Sequence, residues 1–298
     1  MKQSLSVWMP NYNHAKYVGR AIDAIASQSR LPDEFVIIDD ASTDNSKEVL
    51  QQYAAKYPWI RIEYSTKNEG VLAIMQKAAT ACTSDYLFLT AADDFILQGF
   101  FETAMHAMEK YPDAGILFGQ MKAQNEEGMD LYIGKASEYK DSQYISPEEY
   151  LNYMKHEAPN HSLSAGTIYK TVALGEMGGF QMDLGPWTDT FSIQAIALRY
   201  GAYYMAQPVS VWVIHAHSIS QGVRRSPFFM FGIIRNAIKT MKSPGFHQYF
   251  PDSYIASWAF KYRITILLQY VAGLFSVSSL PTNPRWQQWH QKFLRVIS

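Results

Sequence analysis

The sequence predicts an α/β fold: a mostly parallel central sheet flanked by helices, followed by a helical C-terminal extension. Three observations carry this. Short apolar runs alternate with segments of helical periodicity through the first half of the 298 residues, and such alternation is what stacked βα units produce. The spacing between runs suits parallel strands covered on both faces. Beyond residue 226 the strand-like runs give way to long helical patterns.

In order, LSVWMP (5–10), FVIID (35–39), IRIEY (60–64), YLFLT (86–90) and GILFG (115–119) read as strands. Between them Val18, Ile22 and Ile25 recur at helical spacing, and residues 45–57, 69–82 and 97–111 have the same character. No internal repeat or low-complexity tract interrupts them.

Composition narrows the class. A 48% hydrophobic and 18% charged chain has the make-up of a soluble globular protein with a sizeable core. The single cysteine, Cys82, excludes an intramolecular disulfide framework and suits a reducing cytoplasm. The first residues lack the apolar stretch and cleavage site of a signal peptide. The net charge of −1 conceals a split: residues 1–220 carry 16 Lys and Arg against 26 Asp and Glu, residues 221–298 ten against one, Asp252. An acidic body with a basic attachment surface is the expectation. No nucleic-acid motif accompanies the charge, so an anionic membrane or a phospholipid-linked substrate matches it at least as well.

In open α/β sheets, ligands bind beyond the carboxyl ends of the strands. Strand one ends in PNYN, strand two in DDASTD and strand four in TAADD. Singly, each is explained by turn or cap chemistry, with Asp44 a natural helix cap. Together at one edge they outline a crevice. Asp93 and Asp94 are adjacent acids, and two such carboxylates resist joint ionisation without a cation or donors. A hard divalent ion, Mg²⁺ or Mn²⁺, completed by phosphate oxygens, would compensate them; a helix N-terminus would also favour one.

In order, SVWMPNYNHAKYVGRAIDAIASQ, FVIIDDASTDNS, KNEGVLAIMQKA and YLFLTAADD resemble the successive signatures of family 2 glycosyltransferases, whose GT-A fold is a Rossmann-like nucleotide-sugar domain. The resemblance covers about residues 4–220. It implies a catalytic domain over 1–222, with a nucleotide-sugar half (1–95) and an acceptor half (96–222), and an extension over 223–298. It implies that Pro10, Tyr12 and Asn13 sit at the nucleotide edge and that Asp40 receives the base. Asn68 and Gly70 would line the nucleotide or diphosphate, Asp93 would approach ribose or sugar, and Asp94 would ligate the metal. Many relatives carry a further acid two positions before the final pair, where this chain has Ala91.

The GGF of 178–180 resembles a family segment leading to an acid that opens a helix, here Asp189, with Asp183 as fallback. Inverting transfer from an α-linked donor is a direct displacement, so the acceptor hydroxyl must lose a proton, and a carboxylate can take it. Asp189 also reads as a helix cap. Gly178 and Gly179 suit either close approach to a sugar or a turn, and Trp187 either stacks on a sugar or joins the core. The segment His215 to Ser220 resembles one near the diphosphate in relatives: His215 would be a metal ligand or phosphate donor, His217 a weaker candidate, and Arg224 or Arg225 a phosphate partner. In the tail, Met230, Ile234, Ile238 and Met241 share one helical face beside a stripe of Arg235, Lys239 and Lys242, the pattern of an interfacial helix. Lys261 and Arg263 interrupt the next apolar stretch and argue against a simple membrane span. The tail therefore either meets a membrane or lipid-linked acceptor, packs on the catalytic domain, or forms a homodimer interface.

The implied activity is transfer from a nucleotide-sugar, a UDP-sugar above others, to a glycan or lipid-linked acceptor in surface polysaccharide or lipopolysaccharide synthesis, at the cytoplasmic membrane face. Two rivals remain. A sugar-phosphate nucleotidyltransferase would carry a Gly-rich basic loop after strand one, which PNYNHAKY lacks; a binding or scaffold protein with a decayed site is suggested by Ala91.

Overall fold

The computed structural model describes residues 3–134, 139–156, 165–215 and 227–274. Arg224, Arg225, His217, Ser220, the expected boundary at 222/223 and the last aromatic-basic segment lie outside the described residues. Strands β1 (Leu5–Asn11), β2 (Glu34–Asp39), β3 (Arg61–Tyr64) and β4 (Tyr86–Leu89) are interleaved with helices α1 (Val18–Ala26), α2 (Ser46–Lys56) and α3 (Val71–Ala81). β1, β2 and β4 were legible as apolar runs because parallel strands are buried on both faces, whereas β3, RIEY at the sheet edge, is only partly covered.

The alternation then loosens. A two-residue strand, β5 (Phe95–Ile96), precedes α4 (Phe100–Lys110). Helix α4 therefore starts later than residue 97, after Gly99 adopts a left-handed φ of 77°. Strand β6 runs Ile116–Asn125, twice the length that its apolar half suggests, followed by β7 (Asp130–Gly134), β8 (Gln143–Ile145), α5 (Pro147–His156), β9 (Thr167–Lys170), α6 (Thr171–Glu176), a 3₁₀ segment (Met182–Trp187), α7 (Thr188–Tyr200) and β10 (Ala202–Ile214). Two further helices, α8 (Pro227–Met241) and α9 (Asp252–Leu274), complete the described chain.

The sheet order is β3-β2-β1-β4-β9-β6-β10-β5, with β7 on β6 and β8 on β10. β3, β2, β1 and β4 are parallel; β9 is antiparallel to both β4 and β6, and β10 runs parallel to β6. The chain leaves β1 toward β2 and β3, then returns to lay β4 on the other side of β1. That reversal opens a crevice at the carboxyl ends of β1 and β4. Pro10 fits there because β1 pairs with β4 only from Leu5 to Trp8, so its missing N–H falls where β4 has already turned away.

Alternating side chains feed two cores. Val7, Met9, Phe35, Ile37, Phe88 and Leu117 meet α1 and α4 on one face. Trp8, Val36, Ile38, Leu87, Ile116 and Phe118 meet α3, α5 and α7 on the other. The second core also takes in Ile233, Ile234, Ala237 and Met241 from α8 and Tyr254, Ile255, Trp258 and Ala259 from α9. The extension thus packs on the sheet domain through one side of each helix. Among the described residues no helix is long and apolar enough to cross a membrane.

Candidate active site at the crevice beyond β1 and β4

The carboxyl ends of β1 and β2 are stitched together by short polar side chains. Asn11 donates from Nδ2 to Asp39 Oδ1 at 2.7 Å, and Ser42 Oγ donates to the same oxygen at 2.6 Å. Asn13, with a left-handed φ of 56°, turns its Oδ1 toward the N–H of Thr43 at 2.7 Å. Asp44 accepts from Ser46 N and Ala15 N, both at 3.0 Å, so it fixes the turn into α2 against the loop after β1, although the cap position itself is Asn45 rather than Asp44. Tyr12 stays exposed beside this network.

Asp40 is 2% exposed. Its two carboxylate oxygens accept the N–H groups of Glu69 at 2.9 Å and Gly70 at 2.8 Å. An anion is therefore seated at the N-terminus of α3, where the macrodipole and orphan donors favour it. Gly70 needs its φ of 86° for both amides to converge, while neighbouring Asn68 is exposed. The structure places Asp40, Asn68 and Gly70 together, with Asp40 facing the loop amides.

At the end of β4 the two acids part company. Asp93 Oδ2 lies 2.8 Å from His215 Nε2. His14, Asp93 and His215 bring one potential ligand atom each within 4.8 Å of one another. Asp94 instead accepts the N–H of Val213 through Oδ1 at 2.9 Å, which orients it along β10 and leaves it out of this group. Burial, reinforced by the negative charge of Asp93, raises the Asp94 carboxyl well above the ordinary range. Metal ligation had been expected from Asp94 and His215; the group of potential ligands in the structure runs through Asp93 and His215 and adds His14. The physical reason is the turn after Leu89, which sends adjacent side chains opposite ways.

The histidines are held from behind. Tyr17 stacks on His215 with centroids 5.3 Å apart and planes at 19°, and His14 meets the His215 ring edge-on at 5.9 Å. The Tyr17 hydroxyl donates to Glu126, which is also paired with Lys16 at 2.6 Å. Burial lowers the pKa of His14, with nearby His215 adding to the effect against the pull of Asp93 and Asp44. His14 thus favours the neutral imidazole, the form that ligates metals. Its Nδ1 is buried and without a hydrogen-bond partner among the described residues. Two imidazoles and a carboxylate are a donor set suited to Mn²⁺ and other first-row divalent ions, so the residues present fit a resident cation.

Asp189 opens α7 and its Oδ1 accepts the N–H of Thr190 at 2.6 Å. The preceding loop is tied to α3: Gln76 Oε1 takes the N–H of Phe180 at 2.8 Å. Gly178 and Gly179 both have positive φ, 78° and 73°, and a Cβ on Gly179 would lie 2.6 Å from Gln76 Oε1. These glycines serve a turn packed on α3. Trp187 is 5% exposed and sits against Trp258 with centroids 4.6 Å apart. It is core between α7 and α9, which is the second of its two sequence readings. Asp183, the fallback acid, is exposed, and its carbonyl accepts from Asn236.

Comparison with known proteins decides the family. The model for glycosyl transferase family 2 matches residues 6–167, more than half of the chain and including the ends of β1, β2 and β4 but not that of β10. The chain belongs to glycosyl transferase family 2. Among solved structures, this family 2 chain is similar to S. aureus TarS in complex with UDP-GlcNAc, at a TM-score of 0.67 and 16% identity over 95% of this chain and 78% of that one. It is also similar to the mannosyltransferase PcManGT of Pyrobaculum calidifontis in complex with GDP-Man and Mn²⁺, at 0.60 and 19% over 100% and 86%. These likenesses establish a GT-A fold. By sequence, chondroitin synthase of Escherichia coli is 33% identical over 92 residues, 31% of this chain and 13% of that one. The chain spans less than half the length of the curated relatives it matches.

His14, Tyr17 and Glu126 were not singled out in the sequence. His14 had a signal, since it follows strand one at the edge where the acids gather. Tyr17 and Glu126 had none, because Glu126 reaches the crevice only through the unforeseen second half of β6.

Proposed function

We propose that this chain transfers a sugar, with inversion, from a nucleoside-diphosphate sugar to a hydroxyl of a glycan or lipid-linked acceptor in surface polysaccharide biosynthesis. UDP is the nucleotude best supported, since TarS is seen with UDP and UDP-GlcNAc. One observation carries the reading: the His14, Asp93 and His215 cluster lies at the carboxyl ends of β1, β4 and β10, in the crevice where the fold takes its ligands.

His14, Asp93 and His215 would hold a divalent cation, Mn²⁺ in preference to Mg²⁺ given two imidazole ligands, which when bound would neutralise charge on the departing diphosphate. The loop networks around Asn11, Asn13 and Asp40 fix the backbone along which a nucleoside would lie. Asp189, at the mouth of α7, would take the proton of the attacking hydroxyl. Residues 1–95 would serve the donor, 96–222 the acceptor, and 223–298 contact with the cytoplasmic face of a membrane.

The test is to incubate the protein with UDP-, GDP- and dTDP-sugars and Mn²⁺ or Mg²⁺, and to follow both nucleotide binding and nucleotide release. Slow UDP-sugar hydrolysis, removed by Asp93→Asn, is expected. Asp189→Asn should retain donor binding and lose transfer to an acceptor. Binding without release in the presence of every metal would replace the enzyme by a sugar-nucleotide-binding protein, the reading that Ala91 favours.

A further inference from the structure

Helix α8 has two working faces. Ile233, Ile234, Ala237 and Met241 are buried in the core. At about 100° per residue, Phe228, Phe231, Arg235, Lys239 and Lys242 fall within a sector of about 80° on the opposite side. All five are exposed, Phe228 to 87% and Phe231 to 38%. The stripe is segregated along its length, with the aromatics in the first two turns, Arg235 and Lys239 in the next two, and Lys242 directly after the last helical residue. Among the described residues neither Arg235 nor Lys239 has an acidic partner within ion-pair distance; Lys242 pairs with Asp252 at 2.7 Å. Helix α9 repeats the chemistry, with Phe260 and Leu267 about half exposed around an exposed Arg263.

We propose that this face of α8 is a docking surface for an anionic lipid bilayer, with Phe228 and Phe231 entering the interface and Arg235, Lys239 and Lys242 lying on the headgroups. This deepens the membrane contact proposed above by locating it. Charge complementarity selects the occupant, since residues 221–298 hold ten bases and one acid, and that acid is already paired. Size selects it too. The stripe is about 21 Å long at 1.5 Å per residue, one helix wide, whereas a stable protein partner needs about 800 Å² per side with matched relief. A fluid bilayer requires no matched relief, only apolar side chains to insert and bases to neutralise. Because the opposite face is fixed in the core, the stripe is presented without any folding on contact.

The test is co-flotation of the full chain with vesicles of phosphatidylcholine containing 30 mol% phosphatidylglycerol, against phosphatidylcholine alone. Binding to the anionic vesicles only is expected, weakening between 0.1 and 0.5 M salt as the Debye length shrinks, roughly 10 Å at 0.1 M. Each base near an anionic surface is worth about five-fold in partitioning, so Arg235→Gln/Lys239→Gln should bind about 25-fold more weakly. Phe228→Ser/Phe231→Ser should lose about tenfold or more. Both variants should melt with the wild type and keep its donor hydrolysis in solution, which separates failure of docking from failure of the proposed activity. Equal binding to neutral vesicles, or wild-type binding by both variants, overturns the proposal. So does a dimer in light scattering that Phe228→Ser/Phe231→Ser converts to monomer, which would make the face an interface between copies.

Discussion

Asp40 offers a decisive experiment, because its sequence reading and its structural setting predict different losses. In the family resemblance it receives the nucleotide base. In the structure its carboxylate is buried and its two oxygens hold the N–H groups of Glu69 and Gly70 at 2.9 and 2.8 Å. Asp40→Asn keeps one acceptor but turns an NH₂ on the other donor; Asp40→Ala strands both. A buried donor without a partner costs about 1–3 kcal/mol, so Asn should cost about 2 kcal/mol and Ala about 4. For a chain of this size 1 kcal/mol is about 2–4 °C in Tm, which gives drops of roughly 6 and 12 °C. Differential scanning fluorimetry with urea titration measures both, and calorimetry gives UDP affinity in parallel. Falling stability, with UDP affinity lost only as α3 loosens, is expected. An Asp40→Asn variant that melts with the wild type yet binds UDP tenfold more weakly would refute the anchoring argument and return the carboxylate to the base.

Other perturbations probe the crevice and the loop behind it. The folded-state pKa of Asp94 is raised, so wild-type stability is fullest below the ordinary carboxylate value and declines as pH rises through the raised one. In metal-free buffer Asp94→Asn, which keeps the acceptor for Val213, should therefore melt a few degrees above wild type at pH 8, and the gap should close near pH 4. His14→Ala, Asp93→Asn and His215→Ala should each weaken Mn²⁺ binding by at least about tenfold, the loss that even an outer-shell partner gives, whereas Asp94→Asn should change it less; titration calorimetry distinguishes them. Gly179→Ala meets a φ of 73° and Gln76 Oε1 at 2.6 Å, so it should cost about 2–3 kcal/mol in urea unfolding. Adding Gln76→Ala should relieve the contact without restoring wild-type stability, because it leaves about 1–2 kcal/mol of left-handed strain and strands the Phe180 N–H that Gln76 accepts.

The N-terminal half was readable because its physics is local. Apolar runs buried on both faces mark β1, β2 and β4, and the polar residues just past each of these runs mark the crevice edge. The His14, Asp93 and His215 group was half readable. Asp93 and His215 were both named, but which of two adjacent acids faces inward depends on a turn and on the N–H of Val213, 119 residues away. The second half was harder for the same reason. β5 is two residues long and exists only because β10 is there to pair with it, and β6 continues into KAQN, which has no apolar signature. In the tail the basic and apolar faces of α8 were both visible from spacing. That its apolar face closes the sheet's second core was not, since periodicity shows that a face must be covered without showing by what.

Strand β10 has a consequence for when the crevice comes into being. It is laid between β6 and β5, it pins Phe95 and Ile96 directly after the acids, and it delivers His215, 122 residues beyond Asp93. A ribosome-bound chain that has already built β1 to β4 would still lack both the brace and the last imidazole. The crevice is thereby completed only after residue 215 has been made, so a shorter polypeptide would hold Asp93 without its imidazole partner.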